Sequence, residues 1–127
     1  MAAITGGCLC GRLRYSVTAE PSNPHYCSCG QCQRWSGAPV VAWIDVPLHA
    51  VHFHGPGGEP AWHRSSEKAQ RGFCPSCGGT VFYRSDDGAL LGITTVSLDE
   101  PDRFPPVKWS HSRSAPKWLS PLLENRK

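Results

Sequence analysis

The stretch Cys27-Ser28-Cys29-Gly30-Gln31-Cys32 places three sulfurs within six residues, and its reading governs the rest of the chain. Two further groups flank it, Cys8-Leu9-Cys10-Gly11 upstream and Cys74-Pro75-Ser76-Cys77-Gly78 downstream. Together the groups use all seven cysteines of the 127-residue sequence. A structural zinc ion takes four thiolates, whereas a reactive one takes about three protein ligands and keeps a position open. The seven sulfurs therefore divide into a closed site from Cys8, Cys10, Cys74 and Cys77 and a second site at Cys27, Cys29 and Cys32.

Disulfides are the competing use of these sulfurs. The N-terminus Met1-Ala2-Ala3-Ile4-Thr5 has neither the charged nor the apolar region of a secretion signal. Cysteines one or two residues apart suit a metal, and an odd total leaves a disulfide framework with one thiol over. No apolar run approaches the ~20 residues that span a bilayer. The expected setting is soluble, reducing and cytoplasmic, with no membrane partner.

Length and composition point the same way. One hundred and twenty-seven residues suit one domain, 1–127, with thirteen Gly and twelve Pro favouring short strands and turns over long helices. A core over about residues 4–118 needs staples at this size, and metal sites provide them. The formal charge is +3. Seven thiolates and two Zn²⁺ contribute three net negative charges, which brings the metallated chain near neutrality. No basic cluster with interleaved aromatics is present, so a nucleic-acid partner is not expected.

Along the chain, Leu13, Tyr15 and Val17 alternate with Arg12, Arg14 and Ser16 as in a half-buried strand. Pro21-Ser22-Asn23-Pro24 reads as a turn, residues 25–29 as extended, and Gly30 to Trp35 as a single helical turn. The apolar segment 39–46 is a buried strand with Trp43 inside it. Residues 60–65, 69–73, 79–84 and 90–96 are further strands, so Cys74 and Cys77 fall at a hairpin tip. The fold class is mainly β, a small zinc-stapled domain of short antiparallel strands. His49, His52 and His54 match no helical ligand spacing and read as surface residues.

The two kinds of cysteine group differ in chemistry. In Cys74-x-x-Cys77-Gly78 a tight turn aims both sulfurs at one metal, with the glycine supplying the backbone freedom after it. Cys8 and Cys10, two apart, point to one side of an extended chain. Joining these pairs closes a long loop and makes a strong staple. The middle triplet is either a second structural zinc completed by one of His25, His49, His52, His54 or His63, or an open site that takes water or a thiol. Residue chemistry alone leaves those two readings level.

The order Gly7-Cys8-Leu9-Cys10-Gly11, Cys27-x-Cys29-x-x-Cys32 with Arg34-Trp35-Ser36-Gly37, Phe73-Cys74-x-x-Cys77-Gly78 and Leu98-Asp99-x-Pro101 resembles the glutathione-dependent formaldehyde-activating enzyme (GFA) family, which includes centromere protein V. The resemblance implies a β-tent-like fold with two Zn²⁺. It assigns Cys8, Cys10, Cys74 and Cys77 to the structural ion and Cys27, Cys29 and Cys32 to the catalytic one. It also implies a carbon–sulfur lyase that joins glutathione, a small-molecule thiol, to formaldehyde or a related aldehyde as S-hydroxymethylglutathione. A non-catalytic two-zinc module for a protein partner is the alternative on the same fold. The family commonly has His where this chain has Ser28, and often a His before a Trp near the C-terminus, where Trp109 and His111 stand before Trp118.

Glutathione carries two carboxylates and an amine, so its groove should offer cations. Arg34, flanked by Gln33 and Trp35, is the first candidate by its closeness to Cys32. Arg64 and Arg71 rank below it, and a solvated strand-face charge is the simpler reading for each arginine. Trp35, Trp43 and Trp62 read as core or cleft wall.

Overall fold

In the computed structural model, which describes residues 3–124, the chain opens with a hairpin. β1 (Ile4–Gly7) pairs antiparallel with β2 (Arg14–Val17), leaving residues 8–13 as the tip. β3 (Ser22–Cys27) leads into α1 (Gly30–Ser36), and β4 (Val41–Pro47) returns antiparallel to β3. β5 (Val51–Phe53) joins the free side of β2. β6 (Ala61–Ser66), β7 (Ala69–Phe73), β8 (Thr80–Ser85) and β9 (Leu90–Thr94) form an antiparallel meander. β10 (Trp109–Ser110) lies parallel to β3, and α2 (Leu119–Glu124) follows. The strands make a three-stranded sheet, β1-β2-β5, and a seven-stranded one, β10-β3-β4-β9-β8-β7-β6. No helix among the described residues is long and apolar enough to cross a membrane.

The main core lies between the sheets. Leu13, Tyr15 and Val17 are buried, as their alternation requires, and meet Ile44, Val46, Phe82, Leu91 and Ile93 of the larger sheet. Alternation along β4 separates two environments. Ile44 and Val46 face this core, while Trp43 turns to the opposite side and packs with Cys27, Cys32, Trp35 and Tyr83. Gly92 on β9 makes that second packing possible, because a Cβ there would come within 3.3 Å of the Trp43 ring.

Several sequence expectations are refined. Pro21 to Pro24 is not a free turn: Ser22 to Pro24 lie within β3, where the register shifts between Ser22 and His25 and Asn23 takes a left-handed φ of 55°. A bulge lets a strand absorb the proline, and Asn tolerates the positive φ. The turn expected at Gly30 to Trp35 is a seven-residue helix closed by left-handed Gly37, whose N–H reaches Gln33 O at 2.8 Å. Strand 90–96 ends at Thr94 and passes into a 3₁₀ turn. β1, β10 and α2 carried no pattern strong enough to be expected. Cys8 and Cys10 sit in the β1–β2 tip rather than in extended chain, with Cys8 N–H bonded to Leu13 O at 3.0 Å.

Asp99 fastens the first hairpin from outside. It accepts from both Arg14 Nη atoms, at 3.1 and 2.6 Å, and from Thr5 Oγ1 at 2.6 Å. The Arg14 bonds first, and the Thr5 hydroxyl second, hold its carboxyl below the ordinary range.

Phe82 is fully buried and meets the rings of Tyr15, Phe53 and Trp62 at centroid distances of 5.3, 5.6 and 6.2 Å. Phe82→Ala is expected to lower unfolding free energy by about 3–5 kcal/mol, measured by denaturant titration of the metal-loaded protein. A loss below about 1 kcal/mol would show that the sheets do not depend on this contact.

Candidate metal centres and the adjoining cleft

Both outer cysteine pairs occupy hairpin tips, and the fold brings the tips together. Cys74 and Cys77 lie between β7 and β8, where Cys74 N–H bonds Gly79 O at 3.0 Å and Gly78 turns with φ 77°. The sulfurs of Cys8, Cys10, Cys74 and Cys77 all lie within 4.8 Å of one another. Two of the separations are 3.7 Å, for Cys8 and Cys10, and 3.8 Å, for Cys10 and Cys74. A tetrahedron with metal–sulfur bonds of about 2.3 Å has edges of about 3.8 Å, so the set fits Zn²⁺. Leu13 N–H and Gly79 N–H point at Cys8 Sγ and Cys77 Sγ, at 3.3 and 3.4 Å. Such N–H groups stabilise thiolates.

The middle cluster arises at a strand-to-helix junction. Cys27 ends β3, Cys29 is the residue capping α1, and Cys32 lies in the first turn. The cap is itself a sulfur: Cys29 Sγ accepts Cys32 N–H at 3.3 Å. The three sulfurs lie within 4.8 Å of one another, and among the described residues no His, Cys, Asp or Glu adds a ligand atom within that distance of all three. The candidates His25, His49, His52, His54 and His63 therefore do not close it. A cavity of about 680 Å³ opens beside the sulfurs, walled by Trp43, Asp45, Arg71, Tyr83 and His111. His111, with a left-handed φ of 57°, places Nδ1 3.8 Å from Cys27 Sγ.

The arginines sort differently in space than in sequence. Arg34 and Trp35 line a neighbouring groove of about 390 Å³ rather than the sulfur cleft. Arg64 is exposed and paired with Asp86 at 2.9 Å. Arg71 is only 4% exposed and lines both cavities, with Nη1 3.7 Å from Cys32 Sγ. Its distance along the chain from the triplet hid it; the signal was an arginine amid strand residues running into Phe73-Cys74. His49, His52 and His54 are exposed, as expected.

As free thiols, the clusters hold their protons unequally. Burial chiefly pushes Cys27 up to about 12. Burial also opposes ionisation of Cys29, but the Cys32 amide, the neighbouring sulfurs and the Arg71 charge outweigh it and lower its pKa. In the outer cluster the Gly79 and Cys10 backbone bonds lead in lowering Cys77 to about 6. For Cys10 the Arg12 backbone bond works downward, yet desolvation and the other sulfurs raise it to about 11. Metal binding must displace these protons, so affinity falls as pH falls. Acidification toward about pH 5 is expected to release the middle ion first, because three sulfurs hold it where four hold the other. Zinc release followed with a chromogenic chelator checks this in wild type and Cys29→Ser; earlier loss of the outer ion would contradict it.

Ser28 joins the middle cluster to the C-terminal strap. Fully buried, its Oγ donates to Pro39 O and accepts Trp109 Nε1–H, both at 2.9 Å. Its N–H bonds Ser110 O at 3.0 Å. Gln33 Nε2 donates to Ser28 O at 2.7 Å and to Ser114 O at 2.9 Å. Ser28→Ala leaves the Trp109 indole N–H without this partner and is expected to cost about 1–3 kcal/mol. Chemical denaturation gives the cost, and indole fluorescence reports the strap; unchanged values for both would remove Ser28 from this role.

Comparison with known proteins agrees with this architecture. A Schizosaccharomyces pombe protein described as an uncharacterized lyase is 28% identical over 103 residues, covering 74% of this chain and 73% of its own. A Rhodobacter sphaeroides protein of known crystal structure superposes with a TM-score of 0.65 at 21% identity, over 84% of this chain and 99% of that one. At that identity the likeness concerns the fold. The sequence model described as glutathione-dependent formaldehyde-activating enzyme matches residues 3–113, a span that contains both cysteine clusters and His111. With its match over most of the chain and the sulfurs of both clusters gathered in space, this protein belongs to the glutathione-dependent formaldehyde-activating enzyme family.

Proposed function

We propose that the protein is a zinc-dependent carbon–sulfur lyase that adds a small thiol, glutathione in the family's reaction, to formaldehyde or a related aldehyde. The observation that carries this reading is the middle cluster: three sulfurs converge on an open cleft, and among the described residues no fourth ligand atom lies within 4.8 Å of all three. Cys27, Cys29 and Cys32 would hold one Zn²⁺, and Cys8, Cys10, Cys74 and Cys77 the structural one. When bound at the triplet, zinc supplies a Lewis acid that favours the thiolate form of an incoming thiol near neutral pH.

The chain's own groups do the rest. Trp43 and Tyr83, their ring centroids 6.2 Å apart, give the cleft aromatic walls. Arg71 contributes a positive charge beside the sulfurs, and Arg34 and Trp35 offer the adjoining groove to a carboxylate arm of the thiol. In the addition the S–H bond breaks and an S–C bond forms. The carbonyl oxygen becomes a hydroxyl by taking up the proton. A reducing cytoplasm suits both the free cysteines and a thiol substrate.

The test is formation of S-hydroxymethylglutathione above the spontaneous rate, since thiols add to formaldehyde unaided. Cys29→Ser is expected to cut the enzyme-dependent rate by about 100-fold or more, while the outer zinc is retained. An unchanged rate would overturn the catalytic assignment. If wild type gives no rate above background yet holds two zinc ions, the protein is a two-zinc binding module instead.

A further inference from the structure

Arg71 is a buried cation with no carboxylate partner among the described residues. It sits at the middle of β7, opposite His63 on β6 and Tyr83 on β8, and is 4% exposed. Its guanidinium lies 5.0 Å from the centroids of both Trp35 and Tyr83. The ion pairs among the described residues are Arg14–Asp99 and Arg64–Asp86, and neither involves it. Asp45, which shares the cleft, accepts instead from Asn23 Nδ2 at 2.8 Å. Arg71 Nε is buried with no hydrogen-bond partner, and Nη1 points to Cys32 Sγ at 3.7 Å. A buried arginine needs a compensating anion. Here the group at hand is the cysteine cluster, which becomes anionic when metal displaces its protons.

The two clusters differ in how they meet water. In the outer one Cys74 is buried but Cys10 is exposed and Cys8 and Cys77 are half-buried, so solvent can screen the excess charge of four thiolates around a divalent ion. In the middle one Cys27, Ser28 and Cys32 are buried and Cys29 is half-buried, at the wall of the cleft. Three thiolates around a divalent ion carry one net negative charge. The fixed charge of one arginine cancels it.

We propose that Arg71 is the built-in counter-cation of the middle cluster, a positioning residue that makes a buried tri-thiolate metal site neutral and so able to accept an anionic thiolate as its fourth donor. The first half stands on the burial and contacts of Arg71; the second rests also on the thiol-addition reading given above. Without this charge a fourth thiolate would raise the buried excess to two negative charges. A neutral donor would then be favoured. The aromatic sandwich suits a cation, because ring faces attract a guanidinium or an ammonium placed over them.

The test compares Arg71→Gln, which removes the charge but keeps N–H groups, with Arg71→Lys, which keeps the charge. The protein is loaded with Co²⁺ and challenged with a chelator at fixed pH. Arg71→Gln is expected to weaken metal retention at the middle site by about 10–100-fold, leaving the outer site unchanged, with Arg71→Lys nearer wild type. In a second measurement, glutathione and then imidazole are titrated into the cobalt protein and followed by the sulfur-to-cobalt and d–d absorption bands. Arg71→Gln should weaken glutathione binding about tenfold or more and leave imidazole binding within about twofold. Equal retention in both variants, or equal loss in both, overturns the proposal. If Arg71→Gln does not fold, Arg71→Lys alone decides: retention within about threefold of wild type supports it, and loss as large as in Cys29→Ser overturns it. No spectral response of wild type to glutathione would sink the thiol-ligation reading, while the retention series still judges Arg71.

Discussion

Four sulfurs able to hold one metal ion meet where two hairpin tips come together, Cys10 and Cys74 being 64 residues apart in the chain. Everything else in the molecule is arranged behind that meeting. The tip of β1–β2 belongs to the smaller sheet and the tip of β7–β8 to the larger one. A metal held between the tips would fasten the two sheets whose core includes the Tyr15–Phe82 contact. In a chain of this size the apolar core alone yields little net stability, so a metal-donor set that closes a long loop has a disproportionate effect.

The larger sheet then works on two faces. One face completes the core through Ile44, Phe82, Leu91 and Ile93. The other gathers Trp43, Arg71 and Tyr83 around the middle cysteines. Strand periodicity makes this division unavoidable, since neighbours along β4 point to opposite sides. One cluster thus has Cys10 exposed to solvent, and the other lines the cleft beside the buried Arg71.

Ser28 shows how a small departure from the family pattern is absorbed. The family commonly carries His between the first two middle cysteines, whereas here the position is fully buried and its hydroxyl receives the Trp109 indole N–H. Through Ser28 and Gln33 the strap bearing β10 is fastened against the start of α1, and His111 is brought beside Cys27. The substitution thus has a structural partner of its own. It leaves the three sulfurs in place.

The sequence by itself determined the grouping of the sulfurs, the β character and most strand positions. Each of these is a local property: cysteine spacing aims sulfurs within a turn, and alternation such as Leu13, Tyr15, Val17 records which side faces the core. The 69–73 strand and the hairpin tip after it were legible for that reason. β1, with glycines at two of its four positions, and the two-residue β10 have too little local pattern, and only their partners hold them as strands. The site followed the same rule. The ligand triplet was written in six consecutive residues, but Arg34 was favoured because it is near in sequence, and the charge that reaches the sulfurs is Arg71, brought there by strand pairing. That placement, the absence of a closing histidine among the described residues and the role of Ser28 came only with the tertiary structure. Contacts between distant segments depend on register and sheet order, which no local spacing encodes.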